Sequence, residues 1–214
     1  MALGVTKLWS EGSRLIFEEY RVVFLTVSSI LVLLAASPAL SWYLVLPRTE
    51  FFSEVWILGS SHTADNYPFN VTAGEDYTIF LGIANRLGFA SHYEIRVKLR
   101  NQTQSAPDSF NRTSSNLPAI YGVHAFVADE TVWEIPVTFS FDSEYQAAES
   151  RVEIYSLILN EAELEPDSLS VFWDSDNNGF FVNLFFELWT YNRTVDDFVY
   201  HERFVGLWMN MTTS

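Results

Sequence analysis

Two hydrophobic patterns divide this chain, and they meet near residue 48. Residues 22–47 read VVFLTVSSILVLLAASPALSWYLVLP, 26 positions without a charge between Arg21 and Arg48. As a helix rising about 1.5 Å per residue, the run extends roughly 39 Å, enough to cross a hydrocarbon core of about 30 Å with some tilt. It predicts a single transmembrane helix over 22–47. Trp42 and Tyr43 fall where an interfacial aromatic belt belongs, and Pro38 is a place for a kink. In the preceding segment, 1–21, Leu8, Trp9, Leu15, Ile16 and Tyr20 gather on one side of a helical wheel. Lys7, Glu11, Arg14 and Glu18 take the other. Such a segment lies on the inner membrane surface or packs on a partner's helix. The alternative for the apolar run is a cleaved secretory signal, because residues 34–39 are small enough to hold a peptidase site. The long segment before it carries three acids, Glu11, Glu18 and Glu19, and favours a retained anchor.

Beyond residue 48 the period changes to two. Tyr93, Ile95, Val97 and Leu99 alternate with Glu94, Arg96, Lys98 and Arg100. Trp133, Ile135, Val137, Phe139 and Phe141 alternate with polar residues and Pro136, and the proline argues for an edge or a bulge. Further strands are predicted at 54–58, 67–72, 76–85, 119–127, 151–159, 168–173, 180–190 and 198–209. Eight to ten short strands separated by turn signals predict an all-β fold, an antiparallel β-sandwich over 48–214. Residues 101–117, NQTQSAPDSFNRTSSNL, read as a long exposed loop. Residues 180–189 are apolar on both faces. Either this is a central strand, or its second face, through Phe181, Phe185 and Trp189, packs on another subunit.

The turn residues carry a resemblance. Pro68-Phe-Asn-Val-Thr-Ala-Gly74, the strand 77–84 and Asn85-Arg-Leu-Gly88 resemble a Pro…Gly…strand…Asn-x-x-Gly signature of prokaryotic immunoglobulin-like surface domains. With Tyr93-x-Ile-x-Val-x-Leu99 and Phe186-Glu-Leu-Trp189, residues 53–211 resemble the archaeal membrane-protein family called domain of unknown function 1616. The resemblance implies a membrane-anchored immunoglobulin-like sandwich and nothing catalytic.

Charge and composition set the topology and narrow the partners. Lys7, Arg14 and Arg21 before the apolar run outweigh Arg48 after it, so the positive-inside bias places the N-terminus in the cytoplasm and the sandwich outside. Five N-glycosylation sequons, at Asn70, Asn101, Asn111, Asn192 and Asn210, all follow the run and none precedes it. Asn101 and Asn111, in the polar loop, are the expected sites of first choice. With no cysteine, a disulfide-stapled secreted class is excluded, and a glycan-bearing archaeal surface suits the composition. From residue 49 onward 24 acidic residues face eight basic ones, and Lys98 is the one lysine. That surface repels nucleic acid and anionic headgroups.

Candidate chemistry is sparse. Asp174-Ser-Asp176-Asn-Asn178-Gly179 matches the first half of a calcium loop, with Asp174, Asp176 and Asn178 as ligands. The bidentate acid is missing, because Phe185 stands at its position, and a plain hairpin turn accounts for the same residues. Histidines 62, 92, 124 and 201 are scattered without metal-ligand spacing. No nucleophile elbow, phosphate loop or dinucleotide fingerprint is present. In the apolar run, small residues including Ser29 and Ala36 would let a second helix approach closely. The expectation is therefore a non-enzymatic, membrane-anchored accessory subunit of a cell-envelope or membrane-protein complex, or of a self-assembly, with no cofactor. The alternative is an extracellular glycan- or solute-binding module, with calcium as an optional ligand.

Overall fold

The structure, a computed structural model, describes residues 20–38, 50–166 and 169–212. They belong to two units, an N-terminal helix and a β domain that begins at Glu50. The helix, α1, runs Tyr20–Pro38 and is long and apolar enough to be a candidate membrane span. Two of its hydroxyls are turned onto its own backbone: Thr26 donates to the Val22 carbonyl at 2.9 Å and Ser29 to that of Leu25 at 2.8 Å. Such bonds satisfy a polar side chain within the helix itself. The remainder of the expected span, 39–47, and the amphipathic segment up to residue 19 lie outside the described residues.

The β domain is a sandwich of two sheets. Sheet A orders β1 (Phe52–Leu58), β3 (Tyr77–Arg86), β6 (Thr131–Gln146), β7 (Arg151–Leu159) and β8 (Ala162–Leu164), and β9 (Leu169–Phe172) also pairs with β7. Sheet B orders β2 (Asn70–Thr72), β11 (Asp197–Thr212), β10 (Phe181–Asn192), β4 (Ser91–Asn101) and β5 (Tyr121–Val127). Apart from the parallel β2–β11 pair, the pairings are antiparallel. The core fills the space between the sheets with alternate residues of each strand: Ile79, Leu81 and Ile83 from β3, Tyr93, Ile95 and Val97 from β4, Val182, Leu184, Phe186 and Leu188 from β10. Bulges keep that alternation in phase. On β7 the register shifts around Tyr155, so that Val152 and Ile154 before it and Leu157 and Leu159 after it all point inward.

Pro136 shows why a proline is tolerated inside β6. Beside it β3 pairs, but β7 begins only at Phe139, so this half of β6 has one open side. Thr138, of the same parity as Pro136, gives its N–H to the Asn160 side chain and its carbonyl to the Asn160 N–H, both away from β3. The missing proline donor therefore faces the open side, where no ladder bond is lost.

The Asn-x-x-Gly signature is a structural corner. Asn85 is fully buried. Its amide donates to the carbonyls of Phe89 and Val127, both at 2.8 Å, and its oxygen accepts from Leu87 N–H and Tyr93 hydroxyl. Gly88 has φ of 83°, a left-handed conformation that suits glycine, and its N–H reaches Asp129. The network continues across the sandwich. The Tyr93 hydroxyl lies 2.6 Å from Ser53 Oγ on β1, and His201 Nε2 on β11 lies 3.0 Å from that serine oxygen. A bulge in β11 between Tyr200 and Arg203, with Glu202 at a φ of 57°, aims His201 into this seam.

Burial, reinforced by the neighbouring Arg203 charge, holds the His201 imidazole below its ordinary value of 6.5. The unfolded chain therefore takes up a proton before the folded one. Stability is expected to fall as pH drops through about 6.5 and to level off once folded His201 is itself protonated. His92, also lowered by burial, acts with the same sign. In His201→Gln, which keeps a group able to bond Ser53, urea midpoints measured from pH 7.5 to 5 should decline less steeply than in the parent.

Candidate recognition surface

The site builds from the outer face of sheet B. Residues of odd number on β10 point there, and their neighbours are the even-numbered residues of β4: Asn183 lies opposite Arg100, Phe185 opposite Lys98, Glu187 opposite Arg96. At the centre, Lys98 Nζ sits 2.9 Å from Glu187 Oε2 with side chains 4% and 0% exposed. A charge pair on the outer face of a sheet is ordinarily in water. Here the segment between β4 and β5 folds over it. Ser115 N–H donates to Glu187 Oε1 at 2.7 Å, and the Ser115 carbonyl accepts from Lys98 Nζ at 2.8 Å. Trp189 Nε1 donates to the second Glu187 oxygen at 3.1 Å, which leaves the carboxylate fully satisfied. Residues 101–117 are thus not a free exposed loop: Asn101 is the last residue of β4, and Ser115 is buried.

The closed centre separates two open ends. At one end His92, His124, Phe126, Tyr191 and Phe198 form an aromatic cluster. His92 stacks on Phe126 at 4.0 Å and lies 5.4 Å from His124. Phe126 is 79% exposed. Arg96 continues the stripe inward, 3.7 Å over the Trp189 ring, and the Tyr200 ring packs on the same tryptophan with centroids 5.8 Å apart. The Tyr200 hydroxyl is buried with no partner among the described residues, and burial together with the Glu187 charge pushes it up to about 12.

At the other end a groove of about 380 Å³ is lined by Phe69, Gln102, Asp174, Asn177, Phe181 and Trp208. Phe69 is 53% exposed and faces Phe181 with ring centroids 6.1 Å apart. Trp208, 37% exposed, carries Arg100 at 4.6 Å over its ring. Gln102 Nε2 is buried without a hydrogen-bond partner among the described residues. Leaving a buried donor unmade costs about 1–3 kcal/mol, so such a group marks a place where a ligand group or water completes the bond. A larger depression of about 640 Å³ runs along β1. Its walls are residues 50–55 and Arg203, along the edge strand β1.

The residues singled out in the sequence fall in different places. Phe181 and Trp189 are half-buried on the outer face, whereas Phe185, expected to face a partner, is fully buried by its own chain. Gly206 lies opposite it on β11, where an added Cβ would come within 2.9 Å of the Phe185 Cβ. Strand β10 is central in sheet B, which accounts for its apolar second face at that position. Ser29 and Ala36 lie seven residues apart on α1. The Asp174 carboxylate accepts from the N–H groups of Asp176 and Asn177 and from the Asn177 amide. Those bonds, the Asn177 side chain foremost, hold it below the usual carboxylate range. Asn178 takes the left-handed position of the turn, with a φ of 54°. Asp108-Ser-Phe-Asn111 repeats this geometry, with Asn111 N–H and amide bonded to Asp108, so the pattern is that of a six-residue turn used twice. Among the described residues no group of three or more His, Cys, Asp or Glu could hold a metal ion.

For the sequons, the Asn101 amide donates to the Ser170 carbonyl, that of Asn111 to Asp108 and that of Asn210 to Asn70. Asn70 and Asn192 keep amides without a partner among the described residues. The aromatic and histidine cluster and the Gln102 groove escaped the sequence reading, because they join residues 30 to 140 positions apart through sheet pairing.

The chain is thus a β-sandwich domain preceded by one apolar helix. The family described as "Domain of unknown function (DUF1616)" matches residues 46–166, more than half of the chain, and the chain belongs to it. No match was found among curated proteins. Among solved structures, a β-glucosidase from Listeria innocua in complex with glucose is similar at 11% identity and a TM-score of 0.36, over 77% of this chain and 17% of that one. A complex of zinc 2-glycoprotein and prolactin inducible protein from human seminal plasma is similar at 7% identity and a TM-score of 0.34, over 78% and 99%. Likeness at these scores carries no argument about this chain.

Removing one partner of the buried pair should be far more damaging than removing both. Lys98→Met leaves Glu187 charged and buried and is expected to lower the unfolding free energy by about 3–5 kcal/mol in urea titrations. Lys98→Met with Glu187→Leu should recover most of that loss. It should also speed tryptic cleavage after Arg112, because the Ser115 anchor is gone.

Proposed function

We propose that the protein is a membrane-tethered recognition subunit, with α1 as its anchor and the outer face of sheet B as its working surface. The supporting observation is the cluster around Phe126, whose exposed ring, stacked on His92 beside His124 and Phe198, leaves apolar area open to solvent. Its partner on this reading is a membrane or envelope protein, and the sandwich lies outside the cell with the N-terminus in the cytoplasm. Aromatic rings and a nearby arginine are the residue types that anchor protein interfaces. Ser29 and Ala36 supply a second contact between helices. A second reading, glycan recognition, is favoured by the groove at the other end of the sheet.

Detergent extracts of native membranes, fractionated by affinity and quantified by mass spectrometry, test the subunit reading. A partner should co-purify in stoichiometric amount. Phe126→Asp should reduce its recovery at least tenfold, and Ala36→Phe should reduce it further, while the circular dichroism of the purified chain stays unchanged. A parent protein that runs alone in mild detergent overturns the reading.

Export would expose the sequons to glycosylation. Glycopeptide mapping of protein from its native host should find the highest occupancy at Asn192 and Asn70. Lower occupancy is expected at Asn101 and Asn210, whose amides are engaged by the fold.

A further inference from the structure

We infer that the groove formed by Phe69, Phe181 and Trp208 binds a neutral pyranose sugar. This inference rests on reading the outer face of sheet B as a recognition surface, and it names the ligand class at one end of that face. Three aromatic side chains reach the groove from three separate segments: Phe69 just before β2, Phe181 at the start of β10 and Trp208 near the end of β11. Phe69 and Phe181 are inclined by 45° rather than packed flat, so they form two walls instead of one surface. Pyranose rings present flat patches of C–H bonds that pack on aromatic faces, and their hydroxyls need donors and acceptors in the same site.

The polar groups supply both. Gln102 Nε2 is a buried donor without a partner among the described residues. Asn177 spends its amide N–H on Asp174, which leaves the Asn177 oxygen as an acceptor, and the Asp174 carboxylate adds acceptor lone pairs. Asp174 and Asn177 are fixed by their own turn before any ligand arrives, so little ordering is needed on binding.

The chemistry also excludes neighbouring ligand classes. Arg100, over the Trp208 ring beside the groove, spends two of its five N–H donors on Asn183 Oδ1 and the Gln104 carbonyl. With Asp174 in the groove wall and a chain of net charge −15, a phosphate or uronate is repelled more than it is held. An acyl chain would leave Gln102 unbonded and would desolvate a carboxylate. The volume of about 380 Å³ lies at the lower end of small-molecule sites, roughly 300–1,000 Å³, which suits a terminal sugar unit.

Such a sugar has two sources. One is a glycan of the surrounding envelope. The other is the chain's own glycan, because the sequon residue Asn70 follows Phe69 and accepts a hydrogen bond from the sequon residue Asn210. The test uses the full-length chain from a host without N-glycosylation, held in lauryldimethylamine oxide micelles, which carry no sugar. The probes are the methyl α- and β-pyranosides of glucose, galactose and mannose, with N-acetylglucosamine, read by saturation-transfer NMR and by tryptophan fluorescence. Saturable binding in the millimolar range is expected for at least one probe. Phe69→Ala and Trp208→Ala should each weaken it at least tenfold, and Gln102→Leu several-fold. Phe126→Asp should leave it unchanged, which separates this site from the docking surface at the other end. An envelope source predicts the same binding by native, glycosylated protein. An own-glycan source predicts that native protein refuses the probes and that Asn70→Gln with Asn210→Gln restores binding. The inference is overturned if no probe binds the unglycosylated chain, or if binding survives Trp208→Ala with unchanged affinity.

Discussion

The Lys98–Glu187 pair decides what sheet B can offer to solvent. Two opposite charges face each other on a surface that would ordinarily be wet, and their burial is tolerable only because Ser115 closes the remaining hydrogen bonds from above. The pair thereby fixes the path of the long connection between β4 and β5. With Ser115 anchored over the pair, the outer face is left as two separate ends, and Phe185, opposite Lys98, is fully buried. An apolar pair at these positions would pack as well, but nothing in it would specify where residues 102–120 must lie. The gain from the ions is a single arrangement of a polar segment, and the shape of both open ends follows from that arrangement.

The two ends differ in chemistry. One is a histidine and aromatic cluster on strand positions, with a cationic guanidinium over Trp189. The other is a groove walled by turn residues and floored by side chains from strand ends, with amide and carboxylate groups among its rings. A flat, aromatic area whose Arg96 is already paired with Glu94 suits an apolar protein surface. A recessed, amide-bearing one suits a ligand with many hydroxyls.

The architecture was legible because alternation with period two survives in strands whose outer face meets water. Tyr93 to Leu99 and Trp133 to Phe141 announced their strands, and the doubly apolar run at 180–189, which left a central strand and a partner-facing one open, is the central β10. Pro136 signalled an open side that sheet pairing bears out, because β6 pairs with β3 over 131–139 and with β7 over 139–146. The three-residue strand β8 left no pattern, since three positions hold too few repeats of a two-residue alternation to stand out. The polar segment after β4 misled for a physical reason. Its serines and asparagines look like solvent-facing residues, yet Ser115 is buried: its backbone N–H and carbonyl satisfy two buried ions, and its hydroxyl donates to the Ser105 carbonyl. The candidate sites were illegible for another reason. Phe69, Gln102 and Trp208 come together only through the β2–β11–β10–β4 order, which no local spacing encodes.

The seam of Asn85, Tyr93, Ser53 and His201 has a mechanical meaning. The chain from α1 enters the sandwich at β1, an edge strand held to sheet A by one neighbour, β3. Tension applied at such an end would peel the strand away one ladder bond at a time. Ser53 is the second residue of β1, so the first bonds to meet the load include those to Tyr93 on β4 and His201 on β11. Both belong to the opposite sheet. A pull applied at the start of β1 would thus be shared across the sandwich, and the strand would resist as part of a two-sheet block rather than as a zipper.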